Sequence, residues 1–153
     1  MNASPELIVF FSSMLPVTEL RGSIPLGFAM GLPAESVFFW ALLGNVLPCF
    51  FILWALGPIS TFLMRHSRFF ERFFTKLFES TKNKHEQTVI KYGAVFLIIF
   101  VAIPIPGSGG WTGSLLAFLF GITYWKAMSY IATGIALAAL IITLGVKGVI
   151  TLF

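Results

Sequence analysis

Long uncharged stretches separated by short breaks set the pattern of this chain. The longest runs from Tyr92 to Trp125, 34 residues without a charge. One helix of that length would measure about 51 Å, against roughly 30 Å for the hydrocarbon core of a bilayer. Pro104, Pro106, Gly107, Gly109, Gly110 and Gly113 interrupt it near its centre, leaving two arms of 12 residues, Tyr92–Ile103 and Ser114–Trp125. Each arm is about 18 Å long as a helix, too short to cross. The pattern predicts a re-entrant hairpin, two half-helices that enter and leave by one face with their turn at membrane depth. Lipid cannot satisfy the bare N–H and C=O groups of such a turn, so it is predicted to lie inside protein or along a polar cavity.

The first half repeats the construction. A shift of 90 residues aligns Pro16 with Pro106, Thr18 with Ser108, Leu26 with Leu116, Phe28 with Phe118, Gly31 with Gly121 and Gly44 with Gly134. The counterpart of the glycine turn is the stretch from Pro16 to Pro25, with Gly22 inside it. Its uncharged flanks, Leu7–Thr18 and Gly22–Ala34, hold 12 and 13 residues. Short Gly/Pro-interrupted segments in corresponding positions of two halves point to a transporter binding site. Chance similarity between two apolar segments is the alternative reading of these few matches.

Each predicted hairpin is followed by a longer run. Ser36 to Met64 is uncharged, and Ser36–Leu56 is predicted to span, with Pro33 and Glu35 suiting its start, Pro48 kinking it and Gly57-Pro58 ending it. Ala127–Val146, 20 uncharged residues between Lys126 and Lys147, is the second predicted span. Between the halves the chemistry changes. Residues 65–91 carry ten of the sixteen charges, seven of them Lys or Arg. Phe69, Phe70, Phe73, Phe74, Leu77 and Phe78 form one stripe, and Arg65, Arg68, Arg72, Lys76 and Glu79 the opposite one. That pattern predicts a basic amphipathic helix in the headgroup plane. Basic loops stay in the cytoplasm, so residues 65–91 are predicted to lie there, with both termini on the far side and the two repeats inverted.

The expected fold is therefore all-α and integral to a membrane, an inverted repeat of two re-entrant hairpins each followed by a transmembrane helix. One domain covers 1–153: a first repeat over 5–62, the basic helix and loop over 63–91, and a second repeat over 92–150. Composition agrees, with 58% hydrophobic and 10% charged residues and a mean hydropathy of +0.93. A multi-pass protein of the cell (inner or plasma) membrane is the expectation. The start, Met1 to Glu6, has no basic segment, so Leu7–Leu15 is not read as a cleaved signal peptide. The single cysteine, Cys49, reads as a small buried hydrophobe.

Candidate chemistry is sparse. Glu19 and Arg21 are the charges inside the first apolar region, costly at depth and functional by default. Three readings stand: an inert ion pair, an anion-binding fork (Arg21) beside a proton acceptor (Glu19), or an exposed pair at the interface. In the glycine turn only Ser108, Trp111 and Thr112 offer side-chain chemistry. That turn is either a binding loop or simply the place where two hairpins touch. Gly27 and Gly31 are spaced for helix packing. Aspartate is absent, no catalytic constellation is visible at depth, and His66 and His85 do not make a metal site. No enzyme activity, cofactor, metal or nucleic-acid partner is expected.

The motifs from Glu19 to Gly27 (ELRGSIPLG) and from Pro104 to Gly113 (PIPGSGGWTG) resemble the paired signatures of the small multidrug export protein family, which is similar to the DedA (SNARE-associated, VTT) superfamily of membrane proteins. The resemblance covers essentially the whole chain. It implies two re-entrant hairpins meeting at mid-membrane, and an acid and an arginine associated with proton-coupled transport or lipid translocation, including that of undecaprenyl phosphate. By position these are Glu19 and Arg21, with Pro106, Gly107 and Gly113 from the second motif. The chain departs from longer DedA proteins in lacking further C-terminal spans and a charge in the glycine turn. The expected function is proton-coupled export or translocation of an anionic, amphipathic or lipid-like molecule. A lipid scramblase without ion coupling, or a non-transporting assembly subunit, is the alternative. Membrane lipids are expected partners, and Ala132, Gly134, Ala136 and Ala138 favour a homodimer.

Overall fold

A computed structural model describes residues 4–66, 68, 72, 75–76, 86–105 and 108–152. Among them the structure is all-helical, with six helices: α1 (Pro5–Met14), α2 (Glu19–Ala29), α3 (Ala34–His66), α4 (Glu86–Ala102), α5 (Gly110–Leu119) and α6 (Tyr124–Leu152). Two of these, α3 and α6, are long and apolar enough to cross a membrane. The others are shorter; α1 and α5 have 10 residues each, about 15 Å of helix.

The turn after α2 shows how local chemistry builds the fold. Gly31 has a φ of +80°, a conformation that glycine adopts without the Cβ penalty. Its N–H bonds Phe28 C=O at 3.0 Å, and the Leu32 N–H bonds Gly27 C=O at 3.1 Å, the paired bonds of a Schellman cap. Ninety residues on, Gly121 has a φ of +65°, its N–H bonds Phe118 C=O at 3.0 Å, and the Ile122 N–H bonds Ala117 C=O at 3.0 Å. The long helices then open alike, with Val37 N–H to Pro33 C=O at 3.0 Å and Ala127 N–H to Thr123 C=O at 2.9 Å.

Packing repeats as well. Buried Ser23, Ile24, Gly27, Val37, Ala41, Gly44, Asn45, Pro48 and Cys49 have buried counterparts 90 residues later, from Gly113 to Ala139. Helix contacts obey the same exchange. The pairs α1–α3, α1–α2 and α2–α3 become α4–α6, α4–α5 and α5–α6, while α3–α5 becomes α2–α6, and α3 packs on α6. The core lies where α3 and α6 meet α2 and α5, around Ile24, Val37, Leu97, Ile131 and Ile135. Outward the surface is apolar, with Phe11, Trp54 and Leu144 each at least 59% exposed. A soluble fold would bury such side chains; a lipid environment would not require it.

Several element boundaries differ from those expected of the sequence. Gly57-Pro58 does not end the first long helix, which continues to His66. The proline removes one donor, and the Gly57 carbonyl accepts from Ser60 Oγ at 2.8 Å and Thr61 Oγ1 at 3.0 Å. Gly22 and Pro25 are not turn residues but lie inside α2, and Gly110 and Gly113 lie inside α5. The turns are residues 15–18, containing Pro16, and the described residues 103–105 and 108–109, containing Pro104. The arm expected over Tyr92–Ile103 begins earlier, at Glu86, and the second long helix covers Tyr124–Leu152 rather than Ala127–Val146. Pro106, Gly107, the stripe Phe69, Phe70, Phe73, Phe74, Leu77 and Phe78, and Glu79 of the opposite stripe lie outside the described residues. Arg65, Arg68, Arg72 and Lys76 are exposed.

Close approach explains two of the glycines. A methyl group on Gly44 would overlap the Phe10 carbonyl where α1 crosses α3, and one on Gly134 would press on Val101 and the Ile98 carbonyl where α4 crosses α6. Gly145 has open space around it. Gly44→Ala is expected to destabilise by about 1–3 kcal/mol as the helices are pushed apart. Gly145→Ala should be neutral or stabilising by up to about 1 kcal/mol. Thermal unfolding of both variants in one detergent checks the contrast.

Candidate functional site

The turn between α1 and α2 is pinned before it presents any charge. Thr18 Oγ1 donates to the Ser12 carbonyl, and the Glu19 N–H bonds Leu15 C=O at 2.9 Å. Glu19 itself has a φ of +42°, a left-handed conformation unusual for a residue with a side chain. It opens α2 and turns its carboxylate inward. That side chain is 10% exposed, and Arg21 Nη2 lies 3.8 Å from its Oε2, an ion pair too long to be a hydrogen bond.

The carboxylate rests against Gly109, the residue that caps the amino end of α5. A side chain at 109 would fall on both carboxylate oxygens. Gly109 has an extended backbone, φ −95° and ψ −170°, open to any residue, so glycine is needed there for space and not for conformation. The Glu19 carboxylate thus fills the space that a side chain at 109 would take, supplied by the other half of the molecule and without a hydrogen bond to the helix end among the described residues. The first bond of α5 is Gly113 N–H to Gly109 C=O at 2.9 Å, which leaves the amides of Gly110, Trp111 and Thr112 without partners inside the helix. Positive partial charge gathers at that end. Residues 19 and 109 are also partners in the 90-residue repeat, so each half meets its own counterpart here.

Behind this contact α3 supplies a buried polar strip. Asn45 Nδ2 donates to the Ser13 carbonyl at 3.0 Å, and Ser13 Oγ donates to Ala41 C=O at 2.6 Å. The Cys49 thiol donates to Asn45 C=O at 3.2 Å. A methyl on Gly110 would lie 3.0 Å from Asn45 Oδ1 and closer to Cys49 Sγ, so α5 enters flush against this strip. Ser114 Oγ donates to Gly110 C=O at 2.8 Å. Glu19, Arg21, Asn45, Pro104, Ser108, Gly109 and Gly110, with Val101, Ile135 and Ile142, line a recess whose open volume is about 10 Å³. About 10–15 Å³ of such space holds one water, so the recess as it stands is filled by its own side chains, the Glu19 carboxylate among them.

Of the residues expected to form the site, Glu19, Arg21 and Ser108 meet at the recess. Ser108 is occupied by its own turn. Its hydroxyl oxygen accepts the Ile105 N–H at 3.3 Å and lies 2.6 Å and 2.8 Å from the Ile103 and Ile105 carbonyls. Trp111 and Thr112 are half-buried and are not among the described residues lining the recess. Trp111 Nε1 instead donates to Met14 C=O at 3.2 Å, tying α5 to the last turn of α1. Asn45 falls inside the predicted span Ser36–Leu56 and had no predicted role. A signal existed: Asn45 is the single carboxamide between Ser36 and Met64. Gly109 and Gly110 were expected as turn residues, and their place against Glu19, Cys49 and Asn45 had no local signature.

Asn45→Ala leaves the buried Ser13 carbonyl unpartnered, and Trp111→Phe frees the Met14 carbonyl. Losses of about 1–3 kcal/mol and about 1 kcal/mol are expected, read from unfolding midpoints in detergent.

No curated protein and no solved structure matches this chain. The family described as "Putative small multi-drug export protein" matches residues 19–141. That range runs from the acid at the recess to the middle of α6, and with two long apolar helices it points to a membrane location. The chain belongs to that small multidrug export protein family, whose name denotes membrane transport.

Proposed function

We propose that the protein is a proton-coupled membrane transporter for an anionic or amphipathic molecule, lipid-like substrates included. Arg21 holds the ionised head and Glu19 carries the proton. The carrying observation is the buried Glu19 carboxylate beside Arg21, where two short helices begin. Buried charges in an apolar molecule are costly and are kept for function.

The reading extends to topology. Segments 5–29 and 86–119 are re-entrant hairpins, each followed by a span, and the two halves are related by an inverted pseudo-two-fold axis. The short apolar lengths of α1, α5 and Tyr92–Ala102 support this, as do the bonds and buried positions that recur 90 residues apart. Residues 65–91 face the cytoplasm of the cell membrane by their positive charge. The small recess favours a homodimer, in which a second copy seals the path of a larger substrate. The likeness of the paired motifs to the DedA superfamily belongs to the same proposal.

Transport into proteoliposomes with and without a pH gradient tests the assignment. Glu19→Gln should abolish the pH dependence while substrate still binds. Arg21→Lys should weaken binding about ten-fold or more, because the planar fork is lost although the charge stays. The swapped pair Glu19→Arg/Arg21→Glu should remain inactive. Full activity in the swap would reduce both residues to an ion pair that holds the first hairpin together. For orientation, a cysteine at any of positions 82–85 should react with an impermeant reagent only from the cytoplasmic side. Native Cys49 is fully buried and gives little background.

A further inference from the structure

The amino end of α5 already holds an acidic group, and that group belongs to the protein. Glu19 reaches it from the other half of the chain, nine-tenths buried, and its carboxylate fills the place of the missing Gly109 side chain. Among the described residues no hydrogen bond to this carboxylate is present; its ion pair with Arg21 spans 3.8 Å. It is held by position and field and not by directed bonds. The Arg21 guanidinium, 29% exposed at the same recess, has donors to spare.

Resting on the transport reading above, we infer that Glu19 is the resident occupant of an oxyanion seat made by Gly109, Gly110 and Arg21. The ionised head of the substrate replaces it there when Glu19 takes up a proton. A neutral carboxyl loses its attraction to both the guanidinium and the helix end, while an oxyanion gains both. The two negative groups compete for one small recess, so anion and proton bind together. The titratable groups facing Glu19 are Arg21 on its own helix and the Cys49 thiol of α3. The described parts of α4, α5 and α6 at the recess contribute none. Lowering pH therefore strengthens anion binding through Glu19, and by linkage anion binding draws in a proton.

The test uses the full-length protein in nanodiscs and two probes that do not titrate between pH 5.5 and 8, inorganic sulfate and hexyl sulfate. Calorimetry in two buffers of different ionisation enthalpy reads affinity and proton uptake together. Wild type should bind at least ten-fold more tightly at pH 5.5 than at pH 8, with about one proton taken up per anion. Glu19→Gln should bind equally at both pH values, without proton uptake, and at least as tightly as wild type at pH 5.5. Gly109→Ala adds a methyl inside the seat without changing any charge, and should weaken the probe at both pH values in a variant that still elutes as wild type on size exclusion. Binding of sulfate itself would mark a seat for free oxyanions; binding of hexyl sulfate alone would mark a seat for amphiphile heads. Either supports the seat. Wild-type binding without pH dependence or proton uptake overturns the exchange, as does unimpaired binding by Gly109→Ala. PH-coupled transport that survives Glu19→Gln would instead defeat the underlying transport reading, so the two failures are distinct.

Discussion

The contact between the Glu19 carboxylate and Gly109 is the constraint on which the centre of this molecule depends. A carboxylate in an apolar protein needs opposite charge close by, and a single guanidinium at 3.8 Å is a loose partner. The amino end of α5 supplies the rest, and it can do so only because residue 109 carries no side chain. For α5 to begin there, the chain before it must break at Ile103 and turn through Pro104 and Ser108. For Glu19 to point there, its backbone must adopt a left-handed conformation and Thr18 must hold the preceding turn. The breaks in the apolar runs, the short helices and the inward acid are parts of one arrangement.

The two halves share caps, buried positions and helix contacts, and they differ in chemistry at that arrangement. Caps, buried positions and helix contacts recur at a spacing of 90, yet Glu19 faces a glycine and Arg21 has Trp111 as its counterpart. Trp111 donates to the Met14 carbonyl, the structural use of an aromatic N–H, while Arg21 keeps a charge at the recess. One half provides charge and the other provides space and amides. Had both halves carried the acid, two carboxylates would meet at one point, with the repulsion that like charges in contact entail. Specialisation of the halves follows from their touching through equivalent residues.

Much of this was legible in the sequence, and the remainder was not for physical reasons. Alternation of long uncharged runs with Gly/Pro breaks announced helices of two lengths, because hydrophobic length and backbone breakers act locally. Gly31 and Gly121 were legible only as partners in the repeat, although each takes a positive φ in its turn. Gly57-Pro58 was misleading: a proline inside a helix removes a single donor, the one that would reach Trp54 C=O, and the apolar run on both sides carries the helix through to His66. Gly22 and Pro25 were misplaced in a turn because breaker residues do not state which of two nearby positions breaks. The role of Asn45 and the seating of Glu19 on Gly109 arise from contacts between segments far apart in the chain, and such contacts leave only the faint trace of the repeat.

The size of the recess carries a further argument about how such a site works. About 10 Å³ of open space holds no more than a water, so on the proposed reading an ionised head enters only in place of the Glu19 carboxylate, between walls that include Val101, Ile135 and Ile142 beside the polar groups. Recognition there is confined to charge and a few atoms around it, leaving the apolar remainder to whatever surrounds the helices. A site of that kind discriminates poorly among apolar bodies, since one methylene more or less is worth only about 1–3 kcal/mol even in a fitted pocket. On the proposed reading it favours an ionised head, because a neutral one would leave the Arg21 charge and the amides at the start of α5 unpaired. Breadth toward the body and strictness toward the head then come from the same geometry, which makes a broad substrate range compatible with a recess built around one acid, one arginine and one glycine.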